Sequence, residues 1–422
     1  MAGRTSKARP AVADRRASRP VLAALRSKPL RRYLIGQLPS VTCSWAQVVA
    51  LSWVVVQKDP HALGWVVALQ FLPSLTLGPW FGAVADRHDR RRLLMLAEAG
   101  LGLVASTYAL MSATDHLTLP WIYSLTTVWG VVNALDTPAR RALIPMLVPA
   151  EHAARASALA GAVMLAGMAA GSALGAALIA TVGVTMTFAG NAASFLADLA
   201  ILSTIRVGPS PRIMRAPRQV RDGLAYVWRT PTLRDALLTL AVVATLAFSV
   251  QVSVPILIRA SFGGGTELIG AGFTAVAVGS LAGTLAAAAR GVPGLTHHAA
   301  LLMAATAATT ALAPTMPVVC VGLVGVGFAW SRLLMSVIGA LQAAEPAMMG
   351  RVMSLLAVVL LGGNAAGGPV AATTATLAGP HAPFVLSSLA AGSAALITAH
   401  RRTRAPPDTA NAPERPEPGR CS

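Results

Sequence analysis

Apolar residues run along this chain in long stretches parted by short polar gaps. They lie roughly at 34–56, 63–84, 93–112, 119–138, 157–180, 184–205, 234–258, 267–289, 298–313, 316–340, 352–377 and 381–399. A helix crossing a bilayer needs about 20 apolar residues, so twelve such runs predict an all-α membrane protein. Backbone groups in lipid have no water to bond, which makes a helix of each run. In the fifth run Gly167, Gly171 and Gly175 recur every four residues and mark one close-packing face. The longest internal polar stretch, Arg206 to Arg234, follows the sixth run and divides the chain into two sets of six. The sets echo each other. The fourth run ends in DTPARRALIPMLVPAEHAARAS and the tenth in LQAAEPAMMGRVMS, both with a Pro, an Arg and a Ser. Two pseudo-symmetric six-helix bundles are the plan of a transporter that rocks about a central site. The expected organisation is a basic tail over 1–32, an N-terminal bundle over 33–205, an interdomain loop over 206–233, a C-terminal bundle over 234–400 and a disordered Pro- and charge-rich tail over 401–422.

Composition agrees. Of 422 residues 55% are hydrophobic and only 12% charged, too few to cover a soluble surface, and the mean hydropathy is +0.62. The net charge of +18 raises nucleic acid as a partner. The charges, however, sit in the gaps between apolar runs and line no folded face, so no nucleic acid is expected. Ten Lys or Arg residues precede Tyr33, four lie within 87–92, three within 140–155, seven within 206–234 and five after His400. The alternate gaps hold only Lys58 and Arg259. By the positive-inside rule both termini are cytoplasmic. The Ala-, Arg- and Gly-rich composition points to the inner membrane of a bacterium, and the stretch before Tyr33 lacks the marks of a removable secretion signal. Cys43, Cys320 and Cys421 show neither disulfide nor metal spacing. No Walker A pattern and no catalytic constellation is present, so neither ATP hydrolysis, a metal nor a cofactor is expected. The partners expected are a small-molecule substrate, protons and the lipid bilayer, and the chain is expected to be a monomer.

Between the second and third runs lies GAVADRHDRRRLL, Gly82 to Leu94. The spacing Gly82, Asp86, Arg87, Arg90, Arg91 resembles motif A of the major facilitator superfamily, Gly-x3-Asp-Arg-x-x-Arg-Arg. Asn133-x-x-Asp136-x-Pro138-Ala139-Arg140, with Pro145 and Leu147-Val148-Pro149, resembles the subgroup that includes the enterobactin exporter and related drug:proton antiporters. FLPSLTLGPWFG (71–82) and GRVMS (350–354) fit that subgroup too. The resemblance implies a proton-driven exporter of drugs, secondary metabolites or siderophores working by alternating access. It further implies a charge latch in which Asp86 faces the start of the eleventh span near Gly350–Ser354, and Arg90 pairs with Asp86 and with Asp136. That latch would stabilise the outward-open state. A plain topology signal explains Arg87, Arg91 and Arg92 equally well, but has no use for an acid at Asp86. Asp89 stands where family members often have Gly.

Charges inside spans are costly and mark function. Asp136, Glu98 and Asp198 are the candidates to carry the coupling proton, although for Glu98 and Asp198 the favoured reading is a structural partner for a motif-A arginine or a neighbouring helix. In the family fold spans one, four, seven and ten line the cavity, which makes Arg332, Gln47, Asn133 and Gln251 candidate substrate contacts. Snorkelling for Arg332 and interhelical bonding for the three amides are the competing readings. Gly362, Gly363, Gly367, Gly368 and Pro369 mark span eleven as a place either to bend or to pack closely. Uptake of a metabolite by the same fold, and a non-transporting membrane sensor, are the alternative functions.

Overall fold

The computed structural model describes residues 25–206, 219–247, 249–290, 296–345 and 348–404. They are helical almost throughout, with α1 at Lys28–Lys58, α2 at Ala62–Arg87, α3 at Arg90–Ala113, α4 at Leu119–Leu143 and α5 at Ala153–Thr204. Then come α6 at Gln219–Arg229, α7 at Pro231–Val242, α8 at Val250–Phe262, α9 at Thr266–Arg290, α10 at Thr296–Ala311, α11 at Met316–Gln342, α12 at Met349–Ala378 and α13 at Ala382–Arg404. Among the described residues nine helical stretches are long and apolar enough to cross a membrane.

One of the nine serves twice. At about 1.5 Å per residue the 52 residues of α5 would far overrun a hydrocarbon core of about 30 Å. The chain turns back at Gly183, whose φ of +84° and ψ of 172° only glycine adopts freely. Spans five and six therefore follow one another without a loop. Span seven is also composite: α7, a π turn at Val243–Ala247 and α8 together. The shorter α10 and the more polar α4 complete the expected pattern. Spans alternate in direction, so both ends of the described chain lie on one face, the terminal face; the other is the far face.

The packing repeats in the two halves. α2 packs on α4 as α9 packs on α11, α3 on α4 as α10 on α11, and α3 on the second part of α5 as α10 on α13. The halves meet through two pairs that a twofold would exchange, α2 with α12 and α5 with α9. This is the two-bundle architecture read from the sequence. Its outer surface is greasy and its inner contacts are small. Leu96, Leu103 and Leu110 form an exposed stripe along α3, as a lipid-facing helix requires. Gly167, Gly171 and Gly175 instead sit against Val41, Thr42, Trp45 and Ala46 of α1, leaving no room for a Cβ.

One detail departs from the sequence reading, and another falls on one of its two alternatives. The expected interdomain loop contains a helix, α6, with Val227 buried, Gly223 against the Arg351 backbone and the Tyr226 hydroxyl accepting from Glu345 N at 3.4 Å. Its period-3.6 pattern is short and interrupted by arginines, so it reads as polar linker. The glycines of α12 pack and do not bend: Gly363 and Gly367 lie against Ala244 and Thr245, inside the π turn of span seven, which is where the irregularity falls.

Replacing Gly171 by Val should force α1 and α5 apart. Overpacking of this kind costs about 1–3 kcal/mol. A thermal melt of the purified protein in detergent should show a lower Tm for Gly171→Val and little change for Gly161→Val, where nothing stands within 4 Å.

Candidate functional site

A partly open cleft lies at the seam between the halves. Trp45 of α1, Val67 of α2 and Met168 of α5 line it on one side. On the other stand Ser249, Val250 and Gln251 at the start of α8, Phe273 and Val276 of α9 and Asn364 of α12. The wall is apolar with a few amides and hydroxyls and no charged group. Asn364 donates its Nδ2 to Leu360 O at 2.8 Å, which leaves the amide oxygen as an acceptor. Among the described residues Gln251 makes no side-chain hydrogen bond and is available to a ligand.

Of the four residues expected in the cavity, Gln251 alone belongs to this wall. Gln47 is buried and accepts from Asn191 Nδ2 at 2.8 Å, a bond that ties α1 to the second part of α5. Asn133 and Arg332 are half-buried on α4 and α11 and lie outside the wall. Spans four and ten thus contribute nothing to it. It is built by spans one and seven together with the four helices that join the halves. Trp45 is part of the wall, whereas Trp129 packs edge-on against Phe195 with ring centroids 5.8 Å apart.

The cleft is closed on the far face. There Gly64 of α2 approaches the Gly368 carbonyl and Ala372, and Gly270 of α9 approaches Ser172 and Ala176 of α5. Across the halves, the Arg259 guanidinium lies 5.5 Å from the centroid of the Trp53 ring, within cation–π range. Towards the terminal face the same helices part. A Cβ on Gly362 of α12 would only touch Leu75 at 3.7 Å, and one on Gly78, Gly82 or Gly350 would meet nothing within 4 Å among the described residues. The halves are joined at the far face and splayed at the terminal one.

The motif-A segment lies at the splayed edge. Asp86 is in the last turn of α2, and its side chain lies outside the described residues, as does any contact it makes with α12. Arg87 is exposed. Asp89, the departure from the family pattern, caps α3: its Oδ1 accepts from Arg91 N at 2.9 Å and Arg92 N at 3.2 Å. An acid there satisfies two of the free N–H groups of the helix start. Arg91 donates to the carbonyls of Leu202 and Ser203, a cation at the C-terminus of α5. The expected pair of Arg90 with Asp136 is not formed. Arg90 is buried, with its Nη1 3.1 Å from Met146 Sδ.

Asp136 pairs with Arg140, one turn on along α4. Arg140 Nε and Nη2 donate to the two Asp136 oxygens at 3.0 and 2.9 Å. Nη2 also meets Glu98 of α3, and Nη1 donates to the Tyr33 hydroxyl of α1 at 3.3 Å. Asp198 of α5 joins this group. It is fully buried, and a Cβ on Gly36 would run into its carboxyl. The three acidic candidates therefore converge on one arginine inside the N-terminal half. The sequence reading missed Arg140 as their hub, although the i, i+4 spacing of Asp136 and Arg140 was there to find.

Removing the Arg259 guanidinium should loosen the far face. A cation–π contact is worth about 1 kcal/mol, roughly a fivefold population shift. With cysteine placed at Gln251 in a chain freed of Cys43, Cys320 and Cys421, an impermeant thiol reagent supplied from the far face should label the Arg259→Ala variant several-fold faster than its parent. Equal rates would remove Arg259 from the gate.

The comparisons agree with this architecture. Residues 19–418 match the family described as transmembrane secretion effector. The staphyloferrin A transporter of Staphylococcus aureus is 24% identical over 247 residues, 57% of this chain and 62% of that relative. Macrolide efflux protein A of Streptococcus pyogenes is 27% identical over 122 residues, 28% of this chain and 30% of that relative. The matched stretch thus spans about three fifths or less of these relatives. Among solved structures, a D-xylose–proton symporter aligns with a TM-score of 0.69 at 16% identity, covering 89% of this chain and 97% of its own. A bacterial homologue of the lysosomal transporter Spinster, inward-facing and unoccupied, aligns at 0.64 and 15%, covering 88% and 94%. On its two-bundle fold, its motif-A segment and a match along nearly its whole length, the chain belongs to the transmembrane secretion effector family of major facilitator superfamily transporters.

Proposed function

We propose that the protein is a secondary active transporter that exports small amphipathic organic molecules in exchange for protons. The observation that carries this reading is the uncharged cleft at the seam of two bundles, closed at one face and splayed at the other. Such a cleft is one of the two end states of alternating access. Its aromatic and aliphatic wall with scattered amides suits an organic ligand with a greasy body and a few hydrogen-bonding groups. Trp45 and Phe273 would hold the ring or chain system, and Gln251 and Asn364 would orient its polar groups. The likeness to macrolide efflux proteins supports export.

In this reading the terminal face is cytoplasmic in the inner membrane of a bacterium, as the placement of Lys and Arg supports. The structure is then the inward-open state. The functional domains are the two bundles, 33–205 and 234–400, joined by the 206–233 segment. Gly82, Asp86, Arg87, Arg90 and Arg91 lie where the halves must close for the outward-open state, and would latch onto the start of α12. Protons entering from outside supply the differential free energy that biases the cycle, since a ligand shifts an equilibrium only by binding one state more tightly. Transport is carried by one chain.

The test is accumulation of a panel of dyes, macrolides and other amphipathic antibiotics in an efflux-deficient bacterium. Cells making the protein should hold several-fold less of at least one compound, and an uncoupler should abolish the difference. Gln251→Ala should raise the concentration needed for half-maximal export of that compound. Greater accumulation than in control cells would instead make the protein an importer.

A further inference from the structure

The acidic cluster around Arg140 has a charge balance that its contacts do not settle. Three carboxyls, Glu98, Asp136 and Asp198, face one guanidinium, and Tyr33 adds a neutral hydroxyl. The nearest other cations point elsewhere: Arg32 and Arg91 donate to backbone carbonyls at the end of α5, and Arg90 to Met146. Asp136 takes two arginine donors and uses the single positive charge in a bidentate pair. Glu98 keeps one arginine contact through Oε1, while its Oε2 has no partner. Neither oxygen of Asp198 has one. Glu98 and Asp198 are both 0% exposed. If all three acids were ionised, the interior of the half would carry two uncompensated negative charges, and a carboxylate stripped of water and hydrogen bonds is strongly disfavoured.

One proton eases both defects, leaving one uncompensated negative charge where there were two. Glu98 and Asp198 are neighbours in this group, with no hydrogen bond formed between them as the side chains stand. A protonated Asp198 can donate to the orphaned Glu98 Oε2, which gives each carboxyl a partner and removes one negative charge. Glu98 then remains the anion that Arg140 sees. Gly36 makes this possible, since any side chain at that position would displace the Asp198 carboxyl.

We propose that Glu98 and Asp198 form a proton-binding site in which one proton is shared between the two carboxyls, with Arg140 as the cation that senses whether it is there. Loss of the proton leaves a second anion competing with Asp136 for Arg140. The arginine is the most exposed member of the group, with 18% of its side chain accessible, and it sits at the terminal end of α4. The change in charge reaches Arg140 through Glu98, and Arg140 carries it to α1 through Tyr33 and along α4 through Asp136. The site lies in peripheral spans three and six, apart from the substrate cleft, so substrate and proton need not exclude one another by direct contact. This assignment rests on the proton-coupled reading above for its use, but not for its existence.

Infrared spectroscopy of the purified full-length protein at neutral pH tests the site. The wild type should show a band from a buried protonated carboxyl that shifts in deuterium oxide. Both Asp198→Asn and Glu98→Gln should abolish it, because each near-isosteric amide removes one of the two groups that share the proton while keeping the packing. Unchanged Tm values would show that the fold survives. A wild type without the band, or a band that persists in either variant, overturns the shared proton. Export by the wild type that an uncoupler leaves untouched would overturn the coupling reading and leave the infrared result standing.

Discussion

The contact between the halves rests on backbone meeting backbone at glycine. Between α2 and α12 the carbonyls of Gly64 and Gly368 lie where each other's Cβ would be, and between α5 and α9 Gly270 takes the same part against Ser172. In lipid no hydrophobic force drives helices together, so association depends on close van der Waals fit and on small residues that allow it. Such contacts are extensive but have no deep, directional bond to break. That suits two bundles that must separate and rejoin. Among the described residues the far face is held by two of these glycine seams and one cation–π contact, none of them costly to open.

Inside the N-terminal half polar bonds are added to such contacts. Gln47 with Asn191, Tyr108 with Thr126 and Arg140 with Asp136 and Glu98 are side-chain bonds between or along helices of the N-terminal half. A polar group in a dry interior is expensive to leave unpaired, so these bonds make a half rigid. Rigid halves with a soft seam are the mechanical condition for rocking. Glycine contacts serve both the seam and the bundles, but the N-terminal bundle adds amides, hydroxyls and ions to them.

The fold was legible in the sequence because lipid leaves so few options. Length of apolar run fixed the spans, and the glycine repeat of α5 named a packing face that the structure fills with Val41, Thr42 and Trp45. What escaped was anything set by the direction of a side chain. Gln47 and Gln251 read alike as amides in cavity helices, yet one bonds Asn191 and the other faces the cleft. The motif pairs Asp136 with Arg90 across a turn, whereas its partner in the structure is Arg140, one helical turn away. Span seven hid its break because Val243 to Ala247 is as apolar as its neighbours. The π turn packs against Gly363 and Gly367 across the contact.

The position of the acidic group bears on how a transporter of this shape keeps its two tasks apart. Were the proton taken up on the cleft wall, every substrate would have to tolerate or displace it, and the wall would carry a charge in some states. Here the wall is uncharged and the acids lie behind it, bonded to helices α1 and α4 of the same rigid half. A change in charge at Glu98 acts on Arg140, and Arg140 is bonded to α1 through Tyr33 and, through Asp136, to its own helix. α1 supplies both Trp45 to the cleft and Trp53 to the far-face contact. A tilt of α1 therefore reaches the substrate wall and the closed gate together. In that arrangement the cleft is free to vary with the substrate while the part that takes up the proton stays the same.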